Sequence, residues 1–132
     1  MAKIERFEDL NTWIEARKLF QIINKICQKP QLKKEFYIVS QIKSSTISIM
    51  ANIAEGFGRY GLKDSKQFYI IARGSVAETQ SHLYVLKDAG FIEQGEFDET
   101  YSQTVFVNKL INGLIKATLK NINASTHERI NT

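Results

Sequence analysis

Between Gln41 and Arg59 the chain runs QIKSSTISIMANIAEGFGR, and this stretch carries two stripes at helical period. Val39, Ile42, Thr46, Ile49, Met50, Ile53 and Phe57 recur every three or four residues, the spacing of a face turned toward a core. Gln41, Ser45, Ser48, Asn52, Glu55 and Arg59 form a second stripe of small, mostly uncharged residues. A solvated face needs neither that regularity nor such small side chains, so the helix is expected to be covered on more than one side. A chain organised around such a helix is confined to folds in which helix packs on helix.

The rest of the sequence keeps the same period. A first helix is expected over about 7–28, with Leu10, Trp13, Ile14, Phe20, Ile23, Ile26 and Cys27 on its core face. Pro30 ends it, having no amide proton to continue the ladder. The second helix spans about 35–57. Gly56, Gly58 and Gly61 are expected to break it, with glycine supplying positive φ in a tight turn. A third covers about 63–89, with Asp64 or Ser65 as cap and Gly90 as stop. The fourth covers about 97–122, and 123–132 is expected to be a frayed tail. No alternating strand pattern competes. Four helices on short links predict an all-α fold, a single domain over 1–132 built as an antiparallel up-down-up-down four-helix bundle.

That topology distributes charge. At one end Lys29, Lys33 and Lys34 meet the acidic turn Glu93, Glu96, Asp98 and Glu99. The other end carries Arg59, Lys63 and Lys66 against Asp64 alone. Over the whole chain the formal charge is +4, with twelve Lys and Arg against seven acids in residues 1–66. Nucleic acid or an acidic protein is a partner compatible with such a balance. The single Cys27 excludes a disulfide framework or cysteine metal cluster. Neither a membrane span nor a signal peptide is expected, which points to the cytoplasm. The sequon at Asn123 is then a chance match.

Gly56-Phe57-Gly58-Arg59-Tyr60-Gly61 spells the dinucleotide pattern G-x-G-x-x-G, yet that pattern functions only between a strand and a helix. Here it follows a helix and marks a turn. His82 and His127 have no companion at ligand spacing, and Glu55 and Glu78 have no nucleophile or base tied to them. No metal, cofactor or enzymatic activity is expected. Gly74 in mid-helix suggests close helix approach beside Ser75 and Ala77. From this follows a polar seam in which Ser48, Asn52, Glu55, Ser75 and Glu78, with Arg73, satisfy one another between helices two and three; the alternative is that the stripe faces another subunit. Asn52→Leu is accordingly expected to destabilise fold or oligomer, read as a lower melting temperature or lost assembly. Phosphate-binding candidates are Arg59, Lys63, Lys66 and Arg73. The competing expectation is a structural self-assembly or protein-partner module without nucleic-acid binding.

The string Ser48-Ile49-Met50-Ala51-Asn52-Ile53-Ala54-Glu55-Gly56-Phe57-Gly58-Arg59, with Phe68 and Ala72-Arg73-Gly74-Ser75-Val76-Ala77-Glu78 after it, resembles a known family. It is the four-helix bundle family encoded in intervening sequences of bacterial large-subunit ribosomal RNA genes. Related to that family are the accessory variability proteins of diversity-generating retroelements. The likeness extends over about residues 7–122, including Phe7-Glu8-Asp9-Leu10 with Trp13 and the Gly90-Phe91-Ile92 turn. It implies a four-helix subunit assembled as a homopentameric barrel. In the retroelement branch it further implies a basic surface that binds nucleic acid and a reverse transcriptase partner.

Overall fold

The computed structural model describes residues 3–131, with side chains for 3–124. Four α-helices account for most of it: α1 (Asn11–Cys27), α2 (Phe36–Gly58), α3 (Leu62–Asp88) and α4 (Gln94–Asn131). Short 3₁₀ turns at Phe7–Asp9 and Pro30–Leu32 precede α1 and α2. Each helix packs on the next, and α4 returns to α1, closing a four-cornered bundle. Side-chain pairs fix the directions. Ser45 meets Thr79 and Ser48 meets Ser75, while Gln80 meets Thr104 and Arg73 meets Asn112. Rising numbers on one helix match falling numbers on its neighbour, as antiparallel packing requires. The fold is the all-α bundle that the periodicity predicts.

The core is aliphatic. Leu19 and Ile23 of α1, Ile42, Ile49 and Ile53 of α2, Val76, Leu83 and Leu86 of α3, and Val107 and Ile111 of α4 are fully buried. Thr46, Thr79 and Thr104 are buried among them, and each hydroxyl reaches a carbonyl three or four residues back on its own helix. That local bond lets threonine occupy a core position without an unpaired polar atom.

Several boundaries differ from the sequence expectation. Leu10 is extended, so residues 7–9 form a separate turn and α1 begins at Asn11. Phe7 still packs edge-on against Trp13, ring centroids 4.9 Å apart. Gly56 does not stop α2, which runs through it to Gly58, and no glycine of that turn has positive φ. The third helix is capped by Gly61 without a side-chain bond, so Asp64 acts as a first-turn acid rather than a cap. Gly90 is the one described glycine at positive φ, +82°. There Phe91 N–H donates to Leu86 O and Gly90 N–H to Lys87 O, closing α3 as expected. The backbone of 123–131 is helical and continuous with α4, since no proline or glycine follows Gly113 to end it.

Close helix approach occurs at Gly56, not Gly74. A Cβ on Gly56 would lie 2.5 Å from Tyr69 Cε1 and 3.1 Å from Ser65 O, whereas one on Gly74 meets nothing within 4 Å. Gly74 is exposed on the outside of α3. Gly74→Ala is therefore expected to raise stability by about 1 kcal/mol by removing backbone freedom from the unfolded chain. Urea denaturation measures this, and a loss would mean that something covers that side of α3.

At the first-connection end Lys29 Nζ donates to Glu96 and, at 3.3 Å, to Phe91 O, tying the α1–α2 link to the α3–α4 link. The Lys29 hydrogen bond holds the Glu96 carboxyl below its ordinary range, burial opposing. A depressed carboxyl stabilises the fold above its unfolded pKa and loses that contribution as pH falls through the folded value. Lys29→Met should cost about 1 kcal/mol at neutral pH. The gap to wild type should narrow as pH falls from the ordinary glutamate pKa through the lower folded value, as a pH series of melting curves would record.

Candidate nucleic-acid interface

The second stripe of α2 reaches α3 through Ser45, Ser48 and Arg59. Asn52 Nδ2 donates to Ser48 O at 2.8 Å and lies 3.1 Å from Ser48 Oγ, which pairs with Ser75 Oγ at 2.9 Å. One turn away Thr79 Oγ1 lies 2.8 Å from Ser45 Oγ, which donates to Ile42 O. The seam thus joins Ser48, Asn52 and Ser75 and adds Ser45 and Thr79. Glu55, Glu78 and Arg73 lie outside it. Glu55 bonds Arg59 one turn on, Glu78 stands 3.5 Å from His82, and Arg73 Nη1 donates across to Asn112 of α4 at 3.1 Å. Charged groups remain in water where burial offers no counter-charge, and Glu55, Arg73 and Glu78 are all exposed.

The four phosphate-binding candidates separate in the same way. Arg59 is committed: it pairs with Glu55 at 3.1 Å and Asp64 at 3.6 Å and lies over the Phe68 ring at 4.6 Å. Its charge is largely spent within the protein. Lys63 is exposed and Lys66 half-buried at the start of α3, and Arg73 lies exposed two turns further along. The bond from Arg73 to Asn112 joins this side of α3 to α4.

On α4 the sequence reasoning missed a set of cations. Lys109, Lys116 and Lys120 are all exposed, and steps of seven and four residues put them on one side of the helix, with exposed Gly113 between the first two. No Asp or Glu occurs from Thr100 to His127. The signal was available as an acid-free window with lysines in helical phase, but a charge count over each half of the chain dilutes it with the acidic turn 93–99. Together Lys66, Arg73, Lys109, Lys116 and Lys120 form a cationic band along the outside of α3 and α4. Point charges on flexible stems, spread along a helix with polar Asn112 among them, suit a row of phosphates rather than one small anion.

One further feature is apolar. Phe7, Trp13, Phe20, Ile47, Met50, Ala51 and Ala54 line an open cleft of about 380 Å³ between α1 and α2. Among the described residues no three His, Cys, Asp or Glu side chains gather as a metal site, and no helix is long and apolar enough to cross a membrane.

With this geometry in view, residues 8–113 match the family model described as 23S rRNA-intervening sequence protein. A solved structure from Bacteroides thetaiotaomicron, described as a protein with unknown function from the S23 ribosomal protein family, is similar at TM-score 0.72 and 27% identity. The match covers 80% of this chain and 98% of that one. None of the curated proteins matches this chain.

Proposed function

The chain belongs to the 23S rRNA-intervening sequence protein family, and from that footing we propose that it is a non-enzymatic, homo-oligomeric adaptor that holds RNA or DNA by its phosphates. The observation carrying this reading is the cationic band on α3 and α4, with an α4 that bears no acid from Thr100 to His127. The band extends the predicted group Lys63, Lys66 and Arg73 along α4 and leaves Arg59 as its internally paired boundary. Contacts of this kind recognise backbone charge, so binding is expected to be broad in sequence. The family resemblance supports five copies as the assembled form, its retroelement branch supports reverse transcriptase as a protein partner, and the lone Cys27 supports a cytoplasmic setting. The solvent-facing positions of Glu55 and Glu78, each beside a basic neighbour, support a role without catalysis.

Fluorescence anisotropy with labelled single-stranded RNA and DNA tests the reading. Affinity should fall steeply between about 50 and about 200 mM salt, in proportion to the phosphates neutralised. Undetectable binding at low salt, or affinity indifferent to salt, would refute it. The second reading, a self-assembly module that binds no nucleic acid, is favoured by the apolar α1–α2 cleft. A stable oligomer that leaves both probes unshifted would select it.

A further inference from the structure

Two neighbouring edges of the bundle expose complementary surfaces. On the α1–α2 edge, the cleft described above is apolar along its floor, and Ile47 at its rim is 52% exposed. Arg17 is exposed beside it, its guanidinium 5.9 Å over the Trp13 ring. The α2–α3 edge carries a ridge instead. Ile71, Glu78 and Val85 of α3 are all exposed and repeat every seven residues. His82 and Val85 share a small recess with Tyr37 and Gln41 of α2, and Glu78 lies against His82, so the ridge belongs to this edge. Its ends are apolar and its middle is anionic. The cleft is apolar; Arg17 borders it on the α1 side, and Glu55 and Arg59 border it toward the end of α2.

We propose that the α1–α2 cleft of one copy receives the α3 ridge of the next, with Ile71 and Val85 on apolar surface and Glu78 against Arg17. The inference rests on the self-assembly proposed above and names its two faces. The cleft edge is limited by the 17 residues of α1 and measures about 26 Å by about 20 Å, or about 500 Å². A contact that covers it takes about 1,000 Å² from the two partners together, the lower bound of a specific interface. Direction fits. Cleft and ridge are different surfaces, so the contact is head-to-tail, and such contacts either close into rings or run on as filaments. Neighbouring edges of a four-cornered bundle stand at about 90°, so successive copies turn in one sense and the contact closes as a small ring rather than running on. The cationic band of α3 and α4 stays outside the contact. Ring formation and phosphate binding are thereby separable.

Ile47→Glu and Ile71→Glu test the two faces by sedimentation velocity, with circular dichroism to confirm the helical fold. Wild type should sediment as one oligomer and each variant as a monomer. An equimolar mixture of the two should form a two-chain species and nothing larger, because each variant supplies the one face that the other lacks. Arg17→Glu and Glu78→Arg should each weaken assembly at least about tenfold, and the double exchange should restore it. These charge variants decide the matter if a glutamate at Ile47 or Ile71 unfolds the chain. An oligomer that survives either isoleucine variant, or a mixture that stays monomeric, overturns this pair of faces while self-assembly stands. A monomeric wild type overturns both.

Discussion

Gly56→Ala is expected to destabilise the protein by about 2–3 kcal/mol, an unusually large effect for one added methyl group. Gly56 is a buried glycine inside α2, not a turn residue, so its backbone would accept alanine. The obstacle is packing. The new Cβ would fall 2.5 Å and 2.8 Å from two ring carbons of Tyr69, a residue 5% exposed, and 3.1 Å from Ser65 O in the first turn of α3. The ring cannot swing clear without leaving the core, and the carbonyl moves only with its helix. Propensity pulls the other way, since alanine is favoured over glycine in a helix by about 1 kcal/mol. Overpacking must therefore outweigh that gain, and at such distances it does. The same substitution at Gly74 has the opposite expected sign because nothing lies within 4 Å of its added Cβ. Urea denaturation of the two variants side by side makes the comparison internal. Equal shifts at both positions would show that propensity alone governs them.

That contrast also marks what was legible in the sequence. Periodicity located the four helices and the α2–α3 seam, because Ser45, Ser48 and Asn52 recur on one side of a helix that also has an apolar side. It assigned the close approach to Gly74 and a helix stop to Gly56, whereas it is Gly56 that Tyr69 packs on and Gly74 that meets nothing. It did not restrain the seam at its ends either. Glu55 and Glu78 continue the spacing in sequence, but a charged carboxylate stays with water and with the nearest base, Arg59 or His82. At the candidate interface the shortfall had a different cause. Lys63, Lys66 and Arg59 were found because they cluster in sequence. Lys109, Lys116 and Lys120 lie apart in sequence and join them only when α4 is set alongside α3, through pairs such as Arg73 with Asn112.

Replacing Lys109, Lys116 and Lys120 together by glutamate should lower affinity for single-stranded RNA or DNA by at least about 100-fold at low salt and flatten the salt dependence by about two to three ion-release units. The fold should be unaffected. All three side chains are exposed, and Lys116 with Lys120 already forms a like-charge pair one turn apart, which two glutamates merely reproduce with opposite sign. Because α4 runs on to Asn131, these positions also lie away from its final turn, where a negative charge would oppose the helix dipole. Lys33→Glu with Lys34→Glu, equally exposed but at the opposite end of the bundle, is the control and should change affinity by less than about threefold. If copies assemble into a ring, each presents the same band, and a long nucleic acid engages several at once. The triple variant should then lose more on a long strand than on a short one, while a monomeric Ile47→Glu chain should retain short-strand binding and lose only the long-strand advantage. A triple variant that binds as wild type would remove α4 from the interface and return the burden to Lys63, Lys66 and Arg73.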